Sequence, residues 1–233
     1  KRACEVINFS VEIRPLEVES FLTLVSLISS KFGADNLPLF SEYFRSLLIT
    51  RGVLPRPNNE KNYEKVYTEF TTGSIEQAIR EDSVEQFCKL ISDQSFNAKK
   101  KVDFGLMKTS DSMMKECKSY MQLIAYFGAV KCFKQAIMND AFDLDGISKY
   151  AIAGGSNEIV RILEQKGELF DDCFEVAVEY HRMDLCDWLL TNRTKHKSFD
   201  LSRSLKYFNY PAFFFKMINE KVFNDALHIA AEE

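Results

Sequence analysis

The stretch Ala151-Ile152-Ala153-Gly154-Gly155-Ser156-Asn157-Glu158-Ile159-Val160-Arg161-Ile162-Leu163 decides the fold, because the chain writes it more than once. Downstream, Ala177-Val178-Glu179-Tyr180-His181-Arg182-Met183-Asp184-Leu185-Cys186-Asp187-Trp188-Leu189 repeats it 26 residues later. Upstream, Ile124-Ala125-Tyr126-Phe127-Gly128-Ala129-Val130-Lys131-Cys132-Phe133 and the segment Ala78 to Leu90 carry the same pattern. Anchored on Glu85, Lys131, Glu158 and Asp184, the spacings are 46, 27 and 26 residues. A fifth anchor, Ala212 in Pro211-Ala212-Phe213-Phe214-Phe215, follows Asp184 by 28. Recurrence at a near-constant period outranks any local motif.

One unit reads as two short helices. The first is small and apolar and ends at a turn position such as Gly128 or Gly155, where glycine tolerates a left-handed backbone. A small or polar residue follows. The second helix then opens with Glu or Asp against the positive end of the helix dipole and carries apolar residues such as Ile159, Ile162 and Leu163. A pair this small cannot bury both faces alone, so neighbouring pairs must stack. Ile159 and Leu185 are the residues expected between stacked pairs, and Arg161 the residue expected outside. The pattern predicts an all-α array over 74–233, with helix pairs near 74–91, 120–138, 147–165, 173–190 and 201–218. The long first gap predicts an insertion at about 92–119.

Residues 1–73 read as a separate helical region. Leu16, Val18, Phe21, Leu22, Val25 and Ile28 follow Pro15 at helical intervals, and Phe40, Phe44, Leu47 and Leu48 repeat the pattern after Gly33 and Pro38. The connector Arg51 to Asn59 holds two prolines and no helix interior. Tyr63, Val66, Tyr67 and Phe70 form one more apolar stripe. Strict alternation is nearly absent, so strands are not expected.

Composition narrows the function classes. The 233 residues carry 30 basic and 34 acidic side chains, a net charge of −4. Broad phosphate-backbone binding needs a basic surplus, so nucleic acid is not an expected partner. The run Lys99-Lys100-Lys101 reads as a solvated loop. No apolar stretch is long enough to span a bilayer, and Glu5 and Glu12 interrupt any leader-like apolar run, so no membrane association is expected. Lys1 stands where an initiator Met would be, which reads as a trimmed fragment. The six cysteines lack C-x-x-C spacing and only three histidines exist, so neither a metal nor any other cofactor is expected. Reduced thiols acting as small hydrophobes fit the cytoplasm.

The repeated residues resemble the ankyrin repeat. Gly155-Ser156-Asn157-Glu158-Ile159-Val160-Arg161-Ile162-Leu163 is similar to the second half of that unit, and Asp225-Ala226-Leu227-His228-Ile229-Ala230-Ala231 to the first half. The chain stops at Glu233 inside that last unit, so the array is expected to be truncated there. The period, near 26 rather than 33, leaves little room for the β-hairpin finger of ordinary ankyrin units. With its abundant Phe and the N-terminal Arg14-Pro15-Leu16, the chain looks like the divergent ankyrin-type domain of unknown function found in protist proteins. The resemblance implies an ankyrin-like solenoid that binds another protein and carries no chemistry. Self-association is compatible with this reading. The alternatives are a structural component of a larger or cytoskeletal assembly, or an enzyme whose site is formed by the 92–119 insertion.

Motifs with apparent chemistry have plainer explanations. Asp103-Phe104-Gly105 and His181-Arg182-Met183-Asp184-Leu185 are similar to kinase fragments, but they lack the phosphate loop and the lysine strand, and their order is reversed. Cys173 and His181 are the nearest thiol–imidazole pair and show no signature spacing. Asp171 and Asp172 read as cap and dipole partners of the helix they precede. His228 is read as a backbone hydrogen-bonding residue of its unit. No catalytic residue is therefore named. The residues that the resemblance places toward a concave groove are Tyr126, Phe127, Tyr180, Tyr207 and Phe208, and these are the candidate partner-binding residues. The competing reading is that shortened repeats pack tightly and bury the rings.

Overall fold

The computed structural model describes residues 2–37, 39–56, 70–104, 111–139, 142–192 and 200–220. Among the described residues all regular structure is helical, and no strand forms. The chain divides into two compact units, Lys1–Lys118 and Ser119–Glu233. The first helix pair of the recurring pattern and the insertion after it therefore group with the N-terminal helices.

The N-terminal unit begins with α1 (Arg2–Ile13), α2 (Val18–Phe32) and α3 (Glu42–Thr50). Cys4, Ile7 and Val11 of α1, Val18, Leu22 and Val25 of α2, and Phe40, Phe44, Leu47 and Leu48 around α3 form one core cluster. Leu16, expected on this stripe, is 54% exposed, because it sits in a 3-10 turn before α2. Ser41 caps α3 by accepting from the Phe44 N–H at 3.4 Å, while its own N–H donates to Asn8 Oδ1 of α1 at 2.8 Å. Residues 51–56 are non-helical, and Pro55 among them excludes a helix interior. Phe70 is buried; Tyr63, Val66 and Tyr67 lie outside the described residues.

Next come α4 (Ile75–Arg80), α5 (Val84–Ile91) and, within the insertion, α6 (Ser112–Glu116). The insertion is held at both described ends. Asp103 donates its N–H to the buried Glu76 carboxylate at 3.2 Å, and Asp111 caps α6 above the buried Met114.

The second unit holds α7 (Tyr120–Tyr126), α8 (Val130–Ala136), α9 (Ile147–Gly154), α10 (Asn157–Gln165), α11 (Phe174–Glu179), α12 (Met183–Asn192), α13 (Leu201–Lys206) and α14 (Tyr210–Glu220). The five expected pairs are present, α4–α5 included. First helices pack on one another in succession, α7 on α9, α9 on α11 and α11 on α13, and α8 packs on α10.

One turn builds every pair. Its central residue is left-handed: Asp82, Gly128, Gly155, His181 and Phe208, with φ between 48° and 75°. In four of the five, two crossed backbone bonds close the first helix. At α7–α8 they are Gly128 N–H to Ala125 O and Ala129 N–H to Ile124 O, at 3.1 and 3.0 Å. At α11–α12 they are His181 to Val178 and Arg182 to Ala177, at 3.2 and 2.7 Å, and at α13–α14 Phe208 to Leu205 and Asn209 to Ser204, at 2.9 and 2.7 Å. This is the Schellman pattern, which satisfies carbonyls that a helix end would otherwise strand. Glycine adopts the central conformation without strain; Asp82, His181 and Phe208 adopt it at a cost of about 1–2 kcal/mol each.

The second helices bury residues at a fixed register: Cys132, Phe133 and Ala136; Ile159, Val160 and Leu163; Leu185, Cys186 and Leu189; then Ala212 and Phe213. Ile162, expected in the core, is only half-buried, and Val160 takes its place.

Candidate partner-binding surface

The five candidate aromatics do not share one environment. Tyr126, Phe127 and Tyr180 are buried, with exposures of 5, 8 and 2%. Tyr126 packs edge-on against Phe127 at 5.3 Å and against Tyr180 at 6.3 Å. For these three the tight-packing reading holds: the rings belong to the core between α7 and the α11–α12 turn. Tyr207 and Phe208 are half-buried and remain reachable from outside.

The last unit also corrects the register. The sequence pattern aligns Phe208 with residues that precede the turn, but it is the turn residue itself, with φ 53°. The residue equivalent to Phe127 and Tyr180 is therefore Tyr207, and the anchor equivalent to Asp184 is Pro211 rather than Ala212. The recurrence between those two units is thus 27 residues, not 28. Burial and the adjacent Glu179 carboxylate, which accepts its hydroxyl, push the Tyr207 phenol upward; Arg203 opposes them.

Side chains around the α11–α12 and α13–α14 turns reach into neighbouring pairs. Arg182 Nε donates to the Ala153 carbonyl at 2.9 Å. Asn209, 1% exposed, donates from Nδ2 to the Val178 carbonyl at 2.8 Å and accepts from the Ala212 N–H at 3.1 Å. His181 Nε2 lies 2.7 Å from the Tyr207 carbonyl, so the ring nitrogen facing it donates. Each satisfies a backbone group exposed at a helix end, which buried packing requires. Farther out, Asn157 donates to Asp184 at 2.9 Å, Lys134 pairs with Glu158 at 2.6 Å, and Arg203 pairs with Glu175.

Two glycines make room for this packing. A Cβ on Gly154 would collide with the Ala125 carbonyl, so α9 closes on α7 backbone to backbone. A Cβ on Gly155 would strike the Arg182 guanidinium, which lies across that turn. The turn glycines are legible in the sequence, but the reach of Arg182, Asn209 and His181 is not. Their signal is a polar residue at or directly after the turns at His181 and Phe208, although side-chain direction needs the neighbouring unit to be in place.

The motifs of apparent chemistry have structural positions. His181 and Arg182 form a turn and bond to backbone carbonyls. Burial pushes the Cys173 thiol up to about 12, with Asp172 and Asp171 adding to the rise against Lys149. The Cys186 thiol is also held at about 12 by burial. Both stay protonated near neutrality, and a protonated thiol is a poor nucleophile. The residue capping α11 is Cys173 rather than Asp171 or Asp172, and it makes no side-chain cap bond. Asp103 anchors the insertion; Gly105, His228 and the stretch Asp225 to Ala231 lie outside the described residues. Among the described residues no cluster of His, Cys, Asp or Glu could hold a metal ion, and no helix is long and apolar enough to cross a membrane.

Residues 145–216, which span α9 to most of α14, match a family model described as a domain of unknown function (DUF3447), a domain associated with ankyrin-repeat proteins. Neither a curated protein nor a solved structure matches the chain.

Proposed function

We propose that the chain is a non-catalytic protein-binding scaffold, an ankyrin-like solenoid in the cytoplasm whose partner is another protein. The observation that carries this reading is the recurrence of one turn at 26- or 27-residue intervals from Gly128 to Phe208, with each first helix packed on the last. Stacked units of that kind supply an extended surface without a catalytic cleft. The matched family model and its ankyrin association add support over 145–216. Buried, unbridged cysteines suit a reducing compartment.

The binding edge on this reading is the turn of the α13–α14 pair, where Tyr207 and Phe208 are half-buried. Aromatics at an interface centre anchor binding at small entropic cost. Phe208→Gly separates binding from folding, because glycine relieves the left-handed strain while it removes the ring. The experiment is capture from native lysate with the immobilised chain, identification of the retained protein, and a binding titration with the purified partner. A loss of tenfold or more in affinity with an equal or higher melting midpoint is expected for Phe208→Gly. Full binding by that variant places the interface elsewhere, and capture of no specific protein refutes the scaffold reading.

A further inference from the structure

Glu76 of α4 is buried at a position that the other first helices leave in reach of water. It is 5% exposed and stands six residues ahead of the left-handed Asp82. Six residues ahead of Gly128, Gly155, His181 and Phe208 stand Gln122, Lys149, Glu175 and Ser202, none of them buried. Two of these reach for the chain that follows. Gln122 Nε2 donates to the Asp145 carbonyl at 3.1 Å, just ahead of α9, and Glu175 pairs with Arg203 of α13. This position on a first helix is thus where the next length of chain docks. On α4 the insertion holds it. Residues 101–104 cross it without helix or strand, and the Asp103 N–H donates to Glu76 at 3.2 Å. Val102 is 9% exposed, the Asp103 side chain is exposed, and Phe104 is half-buried against Phe70 with ring centroids 6.0 Å apart. That alternation is the pattern of an extended segment with one face docked.

The strap satisfies Glu76 poorly. A carboxylate accepts at about four sites, and burial makes each missing donor costly. Among the described residues Glu76 receives that one bond, at the long end of the N–H···O range. The turn ahead of the strap does not depend on the dock. It closes locally, with the Lys99 N–H on Asn97 Oδ1 at 2.9 Å and the Lys100 N–H on the Asn97 carbonyl at 3.0 Å.

We propose that α4 carries a slot for an extended peptide segment, and that residues 102–104 are its displaceable, autoinhibitory occupant. The occupant defines the partner's chemistry. It has an aliphatic and an aromatic side chain two residues apart, a free backbone N–H between them, and a further donor for the second Glu76 oxygen. Main-chain bonding with alternate side chains in apolar contact is how extended peptides are recognised. The tether gives the strap a high effective concentration, so it excludes a segment that binds only equally well. A partner that brings the further donor displaces it. The slot lies in the N-terminal unit and stands apart from the scaffold proposal, whose binding edge is Phe208.

Fluorescence anisotropy of a fluorescein-labelled peptide of residues 99–104, titrated with the full chain, tests the slot. Val102→Ser combined with Phe104→Ser empties it, so the double variant should bind the peptide at least tenfold more tightly than the wild type. N-methylation of the peptide at Asp103 removes the donor and keeps the charge, so it should weaken that binding tenfold or more. If the double variant fails to fold, Asp103→Pro removes the same donor from the strap and should open the slot to the peptide. In the wild type, the Asp103 amide should exchange at least tenfold faster than the amides of α4, because the strap lifts without the helix. Equal binding to the wild type and the opened variant, binding indifferent to N-methylation, or exchange of Asp103 only together with α4 overturns the proposal.

Discussion

The three N-terminal helices and the α7–α14 array reach helical structure by different routes. In the first region, α1, α2 and α3 span 12, 15 and 9 residues and converge on one apolar cluster. In the array, first helices of six to eight residues succeed one another, and the turns are joined by side chains reaching across units. A cluster tolerates irregular connections because every helix contacts a common centre. An array has no common centre, so each pair must fit its neighbour, and the turn becomes the unit of precision. Damage should accordingly spread along the array and stay local in the cluster.

The largest effect is expected from a charge placed between stacked pairs. Ile159 is 0% and Leu185 3% exposed, so Ile159→Asp and Leu185→Asp each put an unpaired carboxylate into the array. Such burial costs several kcal/mol, roughly 3–5 for a fully desolvated site. Loss of cooperative unfolding is expected for both, whereas the exposed Arg161→Asp should melt within about 0.5 kcal/mol of wild type. Phe44→Ala, at a 0% exposed ring of the N-terminal cluster, should cost about 3–5 kcal/mol and lower amide protection in α1–α3 first. Hydrogen exchange read by segment distinguishes the two patterns; uniform loss of protection in all variants would erase the contrast.

Close backbone approach sets the next magnitude. Gly154→Ala drives a methyl group into the Ala125 carbonyl, a backbone atom that cannot swing aside. The α7–α9 contact must open, at a cost of about 1–3 kcal/mol or more. A denaturant titration reads the cost, and an unchanged midpoint would show that α9 shifts freely on α7.

These positions also mark what sequence could and could not reveal. The pairs expected near 120–138, 147–165 and 201–218 are the helices Tyr120–Ala136, Ile147–Gln165 and Leu201–Glu220 to within two residues, because apolar spacing is local and the turn repeats it. Helix α1 carries its own signal, Cys4, Ile7 and Val11 on one face, obscured because Glu5 and Glu12 interrupt the apolar run. The candidate site was less legible. Whether Tyr126 and Tyr180 line a groove or fill a core depends on how closely α7 and α11 approach, which no single-chain spacing encodes. The shift at Phe208 has a plainer cause. A left-handed turn residue is easy to place when it is glycine and hard when it is His181 or Phe208.

Two buried or half-buried asparagines sharpen the comparison at a smaller scale. Asn209 bridges two helix pairs through the Val178 carbonyl and caps α14, whereas Asn8 accepts one N–H from Ser41 within the cluster. Asn209→Ala strands both backbone partners in a site closed to water, for about 2 kcal/mol. Asn8→Ala loses one bond in a half-buried place, for about 1 kcal/mol or less. Thermal melts of the two variants give the order, and a larger loss at Asn8 would reverse it.

The smallest difference lies between two copies of one motif. Asp93 accepts from the Ser95 N–H and hydroxyl at 2.8 and 2.6 Å, and Asp200 accepts from the Ser202 N–H and hydroxyl at 2.9 and 2.7 Å. Hydrogen bonds from those serines, the hydroxyl first, hold both carboxyls below the ordinary aspartate range; Lys216 adds to the effect at Asp200. A depressed folded value means that the stabilisation is complete above the unfolded pKa, about 3.9, and is lost as pH falls through the lower folded value. Only Asp200 caps a helix, α13; Asp93 shapes a turn that no helix follows. Acidification below about pH 3.9 should therefore raise exchange at the Ser202 amide and along α13, while near Asp93 it frees Ser95 alone. Asp200→Asn keeps an acceptor oxygen that does not titrate, so the acid response of α13 should flatten in that variant. Amide titration followed by NMR reads both motifs in one sample. A steep acid response of α13 that persists in Asp200→Asn would assign it to another group.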